Sequence, residues 1–140
     1  MARNTLAVDL YSTNKVATRK SILLVDDDPD VREYLAEMLD HYHYDVITAE
    51  NGQEALAMFS THHPELIITD ILMPDIEGFE LIRRIRSSDQ NIPIIAISGY
   101  NIGYGKTYLS AARKLGADEI LNKPFSSEEL LGAIESHITQ

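Results

Sequence analysis

Acidic side chains close two apolar runs of this sequence. Asp26, Asp27 and Asp28 follow "ILLV" (22–25), and Asp70 stands near the end of "ELIITDI" (65–71). A hydroxyl, Ser98, closes a third run, "PIIAIS" (93–98), and Lys123 follows a fourth, "EILN" (119–122). Brought together, carboxylates cannot all stay ionised without a partner, because like charges raise one another's pKa. A hard divalent cation resolves the conflict. Mg²⁺ takes oxygen ligands, usually one or two carboxylates with waters and phosphate oxygens. An ammonium and a hydroxyl facing it complete a receptor for a tetrahedral phosphoryl group. One carboxylate can then act as nucleophile and form an acyl phosphate. The set contains no Cys and no obvious general base. Phosphoryl transfer to carboxylate therefore fits it better than hydrolysis of a carbon substrate.

Such residues meet only if the elements carrying them end at one edge. "ILLV" is a short continuous apolar run, the mark of a strand buried on both faces. Asp28-Pro29 supplies an N-cap with Pro at the first helical position. Val31, Tyr34, Leu35, Met38, Leu39 and Tyr42 follow at helical spacing, giving a helix with one apolar face. The alternation repeats along the chain. Strands are expected at 45–49, 65–71, 93–98 and 119–122, and helices at 52–59, 79–87, 106–115 and 127–138. Ser126 and Glu129 form a capping box for the last helix. Five strands alternating with five helices imply a parallel sheet covered on both faces. In such sheets sites form beyond the carboxyl ends of the strands, near the switch in strand order. Asp26, Asp27, Asp70, Ser98 and Lys123 all fall at such ends.

Composition narrows the partners. The chain has 140 residues and a formal net charge of -10, with 44% hydrophobic and 24% charged residues. That is one soluble globular domain, and its acidity argues against duplex nucleic acid, whose affinity rests on cation–phosphate contacts. The short basic cluster Arg83, Arg84 and Arg86 reads as a solvated helix face. His41, His43, His62 and His63 read as surface or cap residues. Without cysteine, disulfides and thiolate chemistry are excluded. No window approaches the roughly 18 apolar residues of a membrane span. Residues 1–19 lack the apolar core of a signal peptide and read as a flexible extension, with the domain over 20–140. A cytoplasmic location is expected, without direct contact with nucleic acid or membrane.

One stretch competes for a different reading: "SGYNIGYGKT" (98–107), glycine-rich and ending in Gly-Lys-Thr. A phosphate-binding P-loop needs four residues between its first Gly and Gly-Lys-Thr. Counting back from Gly105, that first Gly falls on Tyr100. The loop also follows the fourth strand instead of the first. A dinucleotide fingerprint belongs after the first strand, where "DDDPDV" stands. Neither nucleotide reading fits.

The residues resemble a known family. "ILLVDDDPDVR" (22–32), "LIITDILMPDIEG" (66–78), "PIIAIS" (93–98) and "LNKPF" (121–125) look like the receiver domain of two-component response regulators, in the same order and placement. The resemblance covers residues 20 to about 138. It implies a flavodoxin-like, doubly wound α/β fold with strand order 2-1-3-4-5. It implies Asp70 as phosphoacceptor, Asp27 as direct Mg²⁺ ligand and Asp26 as an acidic neighbour acting mainly through water. The backbone carbonyl of Leu72 falls at the third protein ligand, and Mn²⁺ could replace Mg²⁺. Lys123 matches the lysine that pairs with the phosphoryl group, Pro124 the proline often preceded by a cis bond, Ser98 the mobile hydroxyl and Gly99 the small residue beside it. Asp28 stays a helix cap.

The implied partners are a histidine kinase or histidine phosphotransfer protein and an output protein that reads the face of the fourth helix, fifth strand and fifth helix. Two departures stand out. Ile120 occupies the place of the family's switching aromatic ring, so Tyr100, Tyr104 or Tyr108 is the substitute to consider. The interval from Ser98 to Gly116 is about three residues long beyond a compact member, and Gly103 and Gly105 give it freedom. Leu72 and Tyr100 are expected to crowd the water that would attack an acyl phosphate. Leu72 also stands where an aspartyl-nucleophile phosphatase would need a second acid. The alternative of another class is a pseudo-receiver that is never phosphorylated and acts as an interaction module. No output domain is expected after the last helix of this sequence, a reading that fits a single-domain regulator, a phosphorelay carrier or a piece of a longer protein.

Overall fold

The computed structural model describes residues 19–71, 78–99 and 104–138, with the backbone alone over 104–109. Expectations placed on residues 1–18, Leu72, Tyr100 and Gly103, and on the side chains of Tyr104 and Tyr108, lie outside the described residues. Strands and helices alternate as the apolar runs predict: β1 (Ser21–Val25), α1 (Pro29–His41), β2 (Asp45–Ala49), α2 (Gly52–His62), β3 (Leu66–Asp70), α3 (Gly78–Ser88), β4 (Ile94–Ser98), α4 (Tyr104–Leu115), β5 (Glu119–Asn122) and α5 (Ser127–Glu135). All strand pairs are parallel, and the order is β2-β1-β3-β4-β5.

Alternation along each strand divides the core into two layers. Leu23, Val25, Ile67, Ile94 and Ala96 pack with Ala55 of α2, Leu81, Ile82 and Ile85 of α3, and Ala112 of α4. Ile22, Leu24, Leu66, Ile68, Ile95 and Ile97 pack with Leu35 and Leu39 of α1 and Leu130, Ala133 and Ile134 of α5. The three central strands are therefore buried on both faces, which is why their sequences are unbroken apolar runs. Burying one such Leu or Ile stabilises the fold by about 1.5–3 kcal/mol.

Caps set the helix starts. The Asp28 side chain accepts from the N–H groups of Asp30 and Val31, with Pro29 at the first turn. Ser126 and Glu129 form the expected reciprocal box at α5. Three helix boundaries differ from the periodic reading by more than one residue. α2 runs on to His62, and His63 ends it in the left-handed region (φ 49°), donating to Phe59 O. α4 starts at Tyr104, and α5 stops at Glu135 with Ser136 as its cap.

Two side-chain expectations are corrected. Tyr34 of α1 and Tyr42 at its C-cap are exposed (64% and 45%), so the apolar stripe narrows to Leu35 and Leu39 with partial cover from Val31 and Met38. A tyrosine can keep its ring half in water because its hydroxyl is satisfied there. The second correction concerns Arg86. Arg83 and Arg84 pair with Glu80 on the exposed face of α3, and their hydrogen bonds, Arg83 first, hold the Glu80 carboxyl at about 2. Arg86 instead turns inward, with only 15% of its side chain exposed.

Candidate functional site

Strand register brings the acids together. Val25 pairs with Thr69, so Asp26 and Asp70, one residue beyond that pair, leave the sheet side by side. Asp70 pairs with Ile97 and Ser98 with Asn122, so Ser98 and Lys123 reach the same edge from β4 and β5. Lys123 N–H donates to Ser98 O at 2.8 Å, carrying the ladder one step past β5.

One carboxylate oxygen from each of Asp26, Asp27 and Asp70 lies within 4.8 Å of the other two. Asp26 and Asp70 are buried (2% and 7% exposed), and Asp27 is exposed. Lys123 Nζ stands 3.3 Å from Asp26 Oδ2 and 3.4 Å from Asp70 Oδ2, bridging the two buried acids. Burial pushes the ammonium down, but attraction from Asp70 and then Asp26 outweighs it and raises the Lys123 pKa above its ordinary value. Among the described residues, three carboxylates against one ammonium still leave an acidic excess.

The donor set fits a hard divalent cation. All three side chains offer oxygen, and the exposed Asp27 leaves a side open to waters and phosphate oxygens. The Leu72 carbonyl lies outside the described residues. Ser98 is fully buried at the end of β4. Gly99 is exposed, and among the described residues a Cβ there would meet only Lys123 Cδ, at 3.8 Å. The Lys123–Pro124 peptide is cis. Ile120 is half-buried against the α2–α3–α4 layer. Asp28 serves as the α1 cap, as its sequence context predicts.

The periodic reading passed over several residues that shape this edge. Gly78 N–H donates to Ile71 O, and a Cβ on Gly78 would lie 2.3 Å from Ile71 Cα and 2.6 Å from Asp70 O. Only glycine permits that close return of the chain behind Asp70. Thr69 Oγ1 donates to Asp70 O at 2.9 Å. Arg32 Nη1 donates to Asp26 O at 2.7 Å. The spacing of Arg32, one turn into the helix after an acidic pair, was the available signal. A groove of about 420 Å³ opens beside Lys123 and Gly99, lined also by Val31, Tyr34, Leu35, Pro124 and Phe125.

Comparisons with known proteins agree with this geometry. The family described as the response regulator receiver domain matches residues 22–135. The protein PilG of Pseudomonas aeruginosa is 35% identical over 119 residues, covering 84% of this chain and 86% of PilG. The response regulator MprA of Mycolicibacterium vanbaalenii is 36% identical over 115 residues, covering 82% of this chain and 48% of MprA. The chain thus spans about half the length of MprA. The crystallised chemotaxis protein CheY4 of Vibrio cholerae superposes with a TM-score of 0.77 at 30% identity, covering 86% of this chain and all of that one. Among the described residues no helix is long and apolar enough to cross a membrane. With its parallel 2-1-3-4-5 sheet and its acids and lysine gathered at one edge, the chain belongs to the response regulator receiver domain family of two-component signalling.

Proposed function

We propose that this chain is a phosphorylation switch in which Asp70 accepts a phosphoryl group from the phosphohistidine of a kinase or phosphotransfer protein. The observation that carries the reading is the Asp26–Asp27–Asp70 cluster with Lys123 bridging its two buried members. Asp26, Asp27 and Asp70 would hold Mg²⁺, or Mn²⁺ in its place, with the Leu72 carbonyl as a further ligand. The cation when bound supplies charge neutralisation for the phosphoryl oxygens.

Asp70 Oδ forms the new bond to phosphorus as the phosphorus–nitrogen bond of the donor breaks. The imidazole leaves with that electron pair and regains a proton from solvent. Lys123, already held near Asp70, faces the arriving anion, and Ser98 supplies a hydroxyl donor at the adjacent strand end. Loss of the group is the reverse in kind: water attacks phosphorus, the acyl phosphate bond breaks and the Asp70 carboxylate returns with inorganic phosphate. While present, the group adds roughly -1.5 to -2 charge at this edge. That charge biases the segment after β4 and the face of α4, β5 and α5, where an output protein reads the state. Gly99, Tyr100, Ile120 and Pro124 are the positions through which the bias would pass. The setting is the cytoplasm.

Incubation with acetyl phosphate and Mg²⁺, followed by intact mass, tests this. A gain of one phosphoryl that disappears in Asp70→Asn is expected. No gain, or a gain that survives Asp70→Asn, points instead to an interaction module or to another acceptor.

A further inference from the structure

Asp26 and Asp27 are adjacent in sequence, yet both send a carboxylate oxygen into one cluster. In an extended strand, successive side chains point to opposite faces. The chain must therefore leave strand geometry between these two residues, and something must hold it there. Asp26 is held at every polar atom. Its N–H donates to Ala49 O at 3.2 Å, Oδ1 accepts from Asp28 N–H at 2.9 Å, and Oδ2 faces Lys123 Nζ at 3.3 Å. Its carbonyl accepts from Arg32 Nη1 at 2.7 Å, the shortest of the four.

The last contact is the informative one. Arg32 lies in the first turns of α1 among Asp28, Asp30 and Glu33, yet among the described residues it forms no ion pair with any of them. Its guanidinium is half-buried and is aimed at a peptide oxygen. Because the peptide is planar, fixing Asp26 O also fixes the direction of the Asp27 N and Cα. Among the described residues the Asp27 side chain has no hydrogen bond of its own, so the backbone sets its aim.

We propose that Arg32 is a positioning residue for the cation ligands: its charged hydrogen bond to the Asp26 carbonyl turns the Asp26–Asp27 peptide so that both carboxylates face Asp70. The inference rests on the reading of Asp26, Asp27 and Asp70 as cation ligands. Arg32 need not touch the cation or the phosphoryl group. It converts two consecutive aspartates, which would otherwise diverge, into two convergent ones.

Mn²⁺ binding to the unphosphorylated full chain, read as the free-ion signal by electron paramagnetic resonance, provides the test. Arg32→Met should weaken Mn²⁺ affinity on the order of ten-fold, the scale of one hydrogen bond to a charged group. Arg32→Lys, a compact single-point donor, should fall between Arg32→Met and wild type. Arg86→Met, at the opposite end of the sheet, should lower the melting temperature and leave the affinity of the folded protein unchanged. Wild-type affinity in Arg32→Met overturns the proposal, and so does an equal loss in Arg86→Met. If Arg32→Met does not fold, Arg32→Lys carries the test, and an unchanged affinity there overturns it equally. A wild-type chain that binds no Mn²⁺ removes the cation site itself, an outcome distinct from binding that ignores Arg32.

Discussion

Lys123 stands between two buried carboxylates at distances longer than a good hydrogen bond, 3.3 and 3.4 Å. Its contribution is therefore mainly electrostatic: it offsets repulsion between Asp26 and Asp70. Removing one partner of a buried ion pair costs about 3–5 kcal/mol. The Lys123 side chain is 24% exposed, and solvent screening brings the expectation for Lys123→Met to about 1–3 kcal/mol at pH 7 in chelator. Urea melts measure it, and millimolar Mg²⁺ should return part of the loss. The pH dependence has a definite sign. The folded pKa of Lys123 is raised above 10.5, so its contribution is complete below 10.5 and fades as pH climbs through the folded value. The gap between wild type and Lys123→Met should stay constant from pH 7 to 10 and narrow above that. Equal stability at pH 7 would mean that the lysine only fills space. The site's ionisable residues were legible because each ends an apolar run, and a strand end is where an α/β sheet presents chemistry. The contacts of Arg32 and Thr69 were not, because they go to backbone atoms, and Gly78 closed a quoted motif without showing the close approach to Ile71 and Asp70 that requires it. A hydrogen bond to a carbonyl leaves no trace in hydropathy.

At the scale of elements, the loops opposite the site depend on one side chain. Arg86 Nε and Nη2 donate to Gly116 O at 3.1 and 2.8 Å, Nη1 donates to Asp89 O and Ile92 O, and Nη2 also reaches Asp118 Oδ2. All five guanidinium donors are engaged. The clamp joins the end of α3, the α3–β4 loop and the α4–β5 loop. Gly116 sits at φ 125°, and a Cβ there would lie 2.8 Å from Arg86 Nε, so the guanidinium takes this place only beside a glycine. Arg86→Met leaves several half-buried acceptors unmatched. It should cost about 2–3 kcal/mol, with little recovered by Arg86→Lys because an ammonium cannot span the fork. A shift of the urea midpoint at constant slope reads the loss, and a change below about 0.5 kcal/mol would mean that water replaces the clamp. Element type and order were readable from the alternation of apolar runs with helical spacing. Boundaries slipped where a cap outside the periodic pattern decided them, as at His63 and Ser136. The inward role of Arg86 was hidden for a related reason: periodicity reports where a side chain starts, and a long basic side chain ends elsewhere.

Across the whole molecule the site straddles parts of unequal burial. β3 and β4 are buried throughout, as is β1 after Ser21, whereas β2 and β5 are edge strands with mostly half-buried or exposed residues. Asp26 and Asp70 belong to the centre, and Lys123 to an edge. Protection of backbone amides from hydrogen exchange should follow this layout, fastest at the two edges and slowest in β1, β3 and β4. Opening the β5 edge separates Lys123 from Asp26 and Asp70, whereas opening the β2 edge breaks the Asp26 N–H bond to Ala49 O and leaves the two ion pairs in place. Lys123→Met should therefore make β5 opening easier by the full stability loss, roughly five-fold to a hundred-fold in exchange rate, since 1.36 kcal/mol is a factor of ten. Amides of Asp45–Ala49 that exchange through local opening should keep their wild-type rates. The central strands, which exchange only on global unfolding, should accelerate with β5. Hydrogen exchange by mass spectrometry at pH 7 in chelator resolves the three classes. Equal acceleration at both edges would mean that the sheet opens as a single unit, and that the site does not divide a fixed acidic half from a movable basic one.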